Sequence, residues 1–485
     1  MQKQPLLHTL LLVTAIGCSP ATPEQQFVDD ALGALGGRNR VEAVKTLTIE
    51  GEGVNYNLGQ DMKPEASTQQ FAVTNYKRQI DVANTRQRVE QTRTPKFAFF
   101  QGPQAQTQVQ GLDGAVAFNV NDAKGEPSRV APQAERDRQV DLYHHPLKLL
   151  RSTMDPKTTV SNVRQTGGAR QADITTAAGP MVTLTIDAAG VPVSASTRAS
   201  HPNLGDVLML TSFAGYQDVN GLRLPGQFTV KVDDFTTAEI RATRQTADAE
   251  VGDLAAPAAV AGPRPSPPPI NVTAEPVGRG VWLIGGGSHH SVLVEFSDHL
   301  MLIDAPQSEA RTLAVIAKVK ETVPKKPLTQ LVTTHHHFDH TAGLRAAMAE
   351  GMNVITQAGN KDWAERMGSR PHTIQPDTLT KNPTRVVVET VDDQLEVKDQ
   401  GQTVQLFHVA GNPHSDTMLM AYIPRDRLLI EVDAFGAGSA VNPYAANLLE
   451  NIQKRNLRVD RIVPLHGPVV PMAELTKVVG SMKEK

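Results

Sequence analysis

"TTHHHFDHTAGL", Thr333 to Leu344, places four histidines and one aspartate within six consecutive positions, His335 to His340. An apolar run, "LTQLVTT" (328–334), leads into it, and a helix-like run, "TAGLRAAMAEG" (341–351), leaves it. A strand, a ligand-rich turn and a helix in that order put the chemistry at the carboxyl end of a strand. Clefts form at such ends in layered α/β domains.

The same arrangement recurs downstream. His414 follows "TVQLFHVAGNP", Asp433 follows "RLLIEV" and His466 ends "RIVPLH". If these strands lie side by side, five histidines and two carboxylates share one rim. So many ionisable groups are costly to bury unless something neutralises and orders them, and a divalent cation does both.

Around this rim, short apolar strands ("HLMLIDAP", "MNVITQ", "TRVVVETV", "TMLMAYIP") alternate with helical patterns ("SEARTLAVIAKVKETV", "AANLLENIQKRNL", "MAELTKVVGSMKE"). That alternation predicts a layered domain over 270–485. Upstream lies "APAAVAGPRPSPPP" (256–269), with six prolines and no periodic pattern, which reads as a semi-rigid linker. Residues 24–255 read differently. "EQQFVDDALGALGG" places Phe27, Val28, Ala31, Leu32 and Leu35 on one helical face with Gly36 as a stop. Period-two runs such as "MVTLTIDAAGVPVSAST" follow, with turns at Asp187–Gly190 and Asn220-Gly221 and a helical piece near 135–154. An antiparallel, strongly curved sheet with one or two helices is expected, so the chain as a whole is α+β.

Bulk properties agree with a multidomain globular protein. The chain has 485 residues, 40% hydrophobic and 20% charged, with 4% aromatics, so aliphatic side chains must fill its cores. The net charge of -3 and the lack of a basic run argue against a nucleic-acid partner. At the N-terminus, Lys3 and the apolar "LLHTLLLVTAI" read as a signal peptide over 1–18, ending on Cys18, the only cysteine. "AIGCSP" resembles a bacterial lipobox, with Ala15 where leucine is usual. That resemblance implies lipidation of Cys18 and export to the cell envelope. Ser19 then implies the outer membrane in a Gram-negative host.

His335-x-His337-x-Asp339-His340, followed by His414, Asp433 and His466 and preceded by Asp304 in "LMLIDAP", resembles the metallo-β-lactamase superfamily signature. The resemblance covers 270–485 and implies an αββα sandwich and two metal ions. Zinc is the first choice, with iron or manganese as alternatives. By the same resemblance His335, His337 and His414 hold one ion, Asp339, His340 and His466 the other, and Asp433 bridges them. Zinc lowers the pKa of bound water to about 7, so hydroxide is available at neutral pH, with Asp339 as the catalytic carboxylate that orients it. The implied activity is hydrolysis of an ester, amide-like or phosphate bond in a small-molecule substrate. Lactam hydrolysis stays open as an alternative but is not favoured: lactamases of this layout carry Cys at the position of Asp433 and commonly Lys at that of Gly436.

His336 is expected to point away from the ions, either supporting the ligands from behind or facing solvent, Asp304 to support them by hydrogen bonding, and His289 and His290 to lie near the mouth as substrate candidates. Gly343 is expected to permit close helix packing. His299, His372 and His408 are read as structural. The first region resembles the half-barrel of lipoprotein-carrier proteins, which implies a lipid or lipoprotein ligand. His144, His145 and His201 are expected at its surface or turns. A non-hydrolytic binding protein or an iron redox enzyme stays open as an alternative.

Overall fold

The computed structural model describes residues 20–97, 102, 104–120, 125–436, 438 and 443–483. The segment expected to be a signal peptide, with Cys18, lies outside the described residues. No helix among the described residues is long and apolar enough to cross a membrane.

The first region is built on one 13-stranded sheet in which every neighbouring pair is antiparallel. The sheet is open, with Pro127–Arg129 and Thr159–Thr166 at its edges. Alternation in sequence becomes alternation in burial: along Met181–Ile186, Val182, Leu184 and Ile186 are buried and the residues between them are not. Those side chains share one core with the helix Pro23–Ala34, whose Phe27, Val28, Ala31 and Leu32 face inward. Thr22 and Gln25 cap that helix reciprocally, and Gly36 ends it at a φ of 115°. The Asn220-Gly221 turn joins Gln217–Val219 to Leu222–Leu224, with both turn residues at positive φ.

The helical piece near 135–154 is two helices, Pro132–Tyr143 and Pro146–Ser152, because the residue before a proline is pushed out of helical geometry. The break places His144 and His145 in a turn, one of the two settings expected of them, but faces both inward rather than to the surface. His144 lies between Thr211 and Thr197 at 2.9 and 3.0 Å, and burial lowers its pKa to about 4. His201 ends the strand Pro192–His201 and leads into a turn. The proline-rich stretch is held to this region by Arg264, which donates to the Val130 carbonyl and to Glu135.

The second region is a two-sheet sandwich. A seven-stranded sheet runs from Thr273–Gly278 to Val388–Val391, antiparallel at first and parallel from Leu300–Ile303 onward. A six-stranded sheet spans Gln394–Lys398 to Val470–Pro471, with Leu428–Glu431 and Arg461–Pro464 parallel. Strand parity separates two cores. Met301, Ile303, Val332 and Ile355 meet Leu406, Met420 and Ile430 of the facing sheet. Leu300, Leu302, Leu331 and Val354 meet the outer helices through Val315, Ile316, Ala347 and Met348. The helices Pro443–Lys454 and Met472–Lys483 cover the other sheet with Leu448, Ile452, Leu475 and Val479. This is the expected αββα order. Leu204 and Val207 of the first region are buried in the same cluster as the outer helices, so the two regions share an apolar contact.

Candidate metal centre

The parallel strands Leu300–Ile303 and Leu328–Val332 deliver Asp304 and the histidine turn to the same rim. Past Val332 the chain leaves the sheet, and His337 caps the one-turn helix Phe338–Thr341. His340 follows on that turn, so His335, His337 and His340 face one space, and all three are buried. The facing sheet supplies Asp433 and His466 from the ends of its parallel pair, and His414 from the loop between two of its strands.

Asp433 sits at the centre. Its Oδ2 lies 3.3 Å from His335 Nε2, 3.2 Å from His340 Nε2 and 3.1 Å from His414 Nε2, and its Oδ1 lies 2.8 Å from His466 Nε2. The ligating atoms fall into two groups: His335, His337, His414 and Asp433 in one, His289, Asp339, His340 and His466 in the other. Four donors around a tetrahedral zinc at about 2.0–2.1 Å lie roughly 3.3 Å apart, close to the separations of Asp433 Oδ2 from the His335 and His414 nitrogens. His337 Nδ1 is buried with no hydrogen-bond partner, and the buried His335 Nε2 and His414 Nε2 face the Asp433 carboxylate without a well-aligned hydrogen bond. A buried polar atom left unpaired costs about 1–3 kcal/mol, so an orphaned His337 nitrogen beside two imidazoles crowded on one carboxylate fits a site made for a cation. The nitrogen and carboxylate donors suit zinc, iron or manganese.

Electrostatics follow from burial and from Asp433. Burial alone disfavours charge on every imidazole, and it lowers the pKa of His335 and pushes that of His337 far down. His340 goes the other way: Asp433 and Asp304 outweigh its burial and raise it well above the usual histidine range. Asp433 is itself held ionised despite burial by His340 and His414. Burial also opposes ionisation of Asp339, yet the hydrogen bond from His289, the His340 charge and the Gln60 amide keep its carboxyl below the usual range.

The other expected residues divide clearly. His336 does turn away, but into the interior rather than toward solvent: its Nδ1 lies 3.1 Å from Thr417 Oγ1 and its ring is beside Trp363. Asp304 accepts from the Thr334 N–H and hydroxyl, each at 2.7 Å, and from His340 Nδ1 at 3.1 Å. His289 is at the rim, with Nε2 3.2 Å from Asp339 Oδ2 and its ring centroid 4.1 Å from that of His466. His290 stands outside both groups, and its backbone N–H donates to the Leu465 carbonyl at 2.9 Å. His299 pairs with Asp298 and Gln330, His372 lies 3.5 Å from Asp377, and His408 bonds the Asp416 carbonyl.

Sequence reading missed three residues. Glu431 is buried two positions before Asp433, and burial and that neighbouring carboxylate push its own carboxyl well above the usual range. A glutamate inside the apolar "RLLIEV" was the available signal. Gln60 and Asp61, from the first region, touch Asp339 and His337. Nothing in their local sequence marks them.

Comparison with known proteins places this geometry. Residues 284–466 match the family model of the Metallo-beta-lactamase superfamily. A 2,4-dinitroanisole O-demethylase subunit alpha from Nocardioides sp. (strain JS1661) is 26% identical over 173 residues, 36% of this chain and 49% of that protein. The chain therefore spans about half the length of that relative. A metallo-beta-lactamase type 2 from Bacillus sp. (strain 170) is 21% identical over 189 residues, 37% of this chain and 67% of that protein. Among solved structures, a metallo-beta-lactamase from Pontibacter korlensis aligns at 18% identity and a TM-score of 0.35, covering 44% of this chain and 100% of its own. Rubredoxin oxygen:oxidoreductase from Desulfovibrio gigas aligns at 19% identity and a TM-score of 0.34, covering 44% and 62%. The stretch that matches the superfamily model, residues 284–466, lies within the second region and closes on His466, the last histidine of the rim.

Proposed function

We propose that this protein is a metal-dependent hydrolase of the cell envelope that cleaves an ester, amide-like or phosphate bond in a small molecule. One observation carries the reading: a single carboxylate, Asp433, lies within 3.3 Å of four imidazoles drawn from three distant segments. Such a cluster is expensive to bury and is suited to two divalent cations, zinc first, with iron or manganese as alternatives. His335, His337 and His414 would hold one ion and Asp339, His340 and His466 the other, with Asp433 between them and His289 beside the second. When bound, such ions acidify water and polarise a carbonyl or phosphoryl oxygen.

The chain's own residues supply the rest. Asp339 Oδ1 is taken by Gln60, and Oδ2 faces His289 Nε2 at 3.2 Å, so the carboxylate is held in place at the rim from both sides. His466 and Asp339 have side chains 33% and 39% exposed, whereas those of His335 and His340 have no exposed surface, so substrate would approach over the former pair. Lipid anchoring through Cys18 is part of the proposal and rests on the lipobox resemblance.

The test is activity profiling of metal-loaded wild type beside His337→Ala and Asp339→Asn, with esters, lactams, thioesters, phosphodiesters and, given the demethylase relative, an aryl methyl ether. Loss of turnover by orders of magnitude in both folded variants is expected. Equal rates in all three proteins exclude the cluster as the active site. Elemental analysis of the fresh protein separates zinc from iron, and iron without zinc favours redox chemistry.

A further inference from the structure

We propose that the loop 57–69 of the first region is a working part of the metal centre, with Gln60 and the Asp61 carbonyl as positioning groups for Asp339 and His337. This rests on reading the rim as a metal centre. Three consecutive loop residues meet three consecutive residues of the histidine turn. The Asp61 carbonyl accepts from His337 Nε2 at 2.8 Å, the Gly59 carbonyl accepts from the Phe338 N–H at 3.1 Å, and Gln60 Nε2 donates to Asp339 Oδ1 at 2.7 Å. The first and last of these contacts each occupy the outer atom of a two-ended ligand. His337 keeps Nδ1, which is buried and unpartnered, for the first group of donors, and Asp339 keeps Oδ2 for the second. Partners of this kind fix the tautomer and orientation of a ligand and are worth roughly 10–100-fold in metal affinity.

The loop is built to stay there. The Asp61 side chain is 3% exposed and accepts from Met62 N, Thr68 N, Thr68 Oγ1 and Gln69 N at 2.6–2.8 Å. The Asp416 N–H donates to the Met62 carbonyl at 2.8 Å, and Arg366 pairs with Glu65 at 2.6 Å. Gly59 has a φ of 76°, and a Cβ there would come within 2.2 Å of the Phe338 ring. From the other side, Asn203 donates to the Phe338 carbonyl and His201 packs on its ring. Both sets of contacts come from the first region, so that region holds the turn between two of its own loops.

The experiment is zinc titration of the metal-free full chain against a chromophoric chelator, with cobalt absorption spectra as a second readout. Gln60→Leu is expected to weaken one binding step roughly 10–100-fold and leave the other near wild type. The cobalt bands should change for that step alone. Gly59→Val should weaken both steps by displacing the loop. If it fails to fold, Gln60→Leu decides. Wild-type affinities at both steps in Gln60→Leu overturn the proposal, as does an equal fall at both with a lower melting temperature of the metal-free protein. Selective weakening in a protein that hydrolyses nothing supports this inference and removes the proposed activity. Hydrolysis with unaltered metal binding in the variants does the reverse.

Discussion

Asp304 Oδ2 accepts a hydrogen bond from His340 Nδ1 at 3.1 Å, and neither side chain has any exposed surface. Because the same carboxylate also takes the N–H and hydroxyl of Thr334, it cannot turn away, and His340 presents Nε2 to Asp433. Asp304→Asn keeps the shape but aims an amide N–H₂ at one set of donors. Zinc affinity is expected to fall roughly 10–100-fold. Competition titration measures it, and unchanged affinity would show that His340 needs no such support.

The two donor groups should be separable by mutation. His414 contributes to one and His466 to the other. His414→Ala and His466→Ala are each expected to reduce bound metal from two ions per chain to one, measured by elemental analysis after dialysis. Retention of two ions in both variants would mean that these histidines are not ligands.

The sequence predicts close packing at Gly343, and the structure supplies the neighbour. A Cβ at Gly343 would lie 1.8 Å from Thr312 Oγ1 and 2.4 Å from Thr312 Cβ. Gly343→Ala should destabilise by about 1–3 kcal/mol through overpacking. Adding Thr312→Ala should return part of that loss, because contacting sites couple. Additive losses in a denaturant double-mutant cycle would rule out this contact as the cause.

Arg345 and Asp377 form a mostly buried pair beside the histidine turn, with Nη2 3.1 Å from Oδ1. Burial opposes ionisation of Asp377, but the hydrogen bond from Arg345 outweighs it and holds the carboxyl below the usual range. A depressed folded-state pKa stabilises above the unfolded value, about 3.9, and that contribution is lost as pH falls further. Asp377→Asn should therefore cost about 3–5 kcal/mol at neutral pH, as expected when one member of a buried pair is removed. The gap to wild type should narrow as pH drops below about 4. Denaturant melts of chelated protein at several pH values test this, and a constant gap would contradict it.

What the sequence determined by itself was whatever depends on short range. Period-two runs marked the strands of the first sheet, and alternation of apolar strands with helical patterns marked the sandwich. The His335–His340 turn named its chemistry through residue types alone. Even His336 could be set apart, because neighbouring residues on an extended segment point to opposite sides. Tertiary structure decided what no local pattern encodes. His144 and His145 are interior because a proline breaks their helix against a sheet whose other strands lie far along the chain. His289 joins the rim because the strand that follows it, Ser291–Glu295, neighbours Leu300–Ile303. Gln60 and Asp61 reach Asp339 and His337 because Leu204 and Val207 anchor the first region on the second region's outer helices. Apolar burial sets such contacts without regard to sequence separation, so they become visible only once both cores have packed.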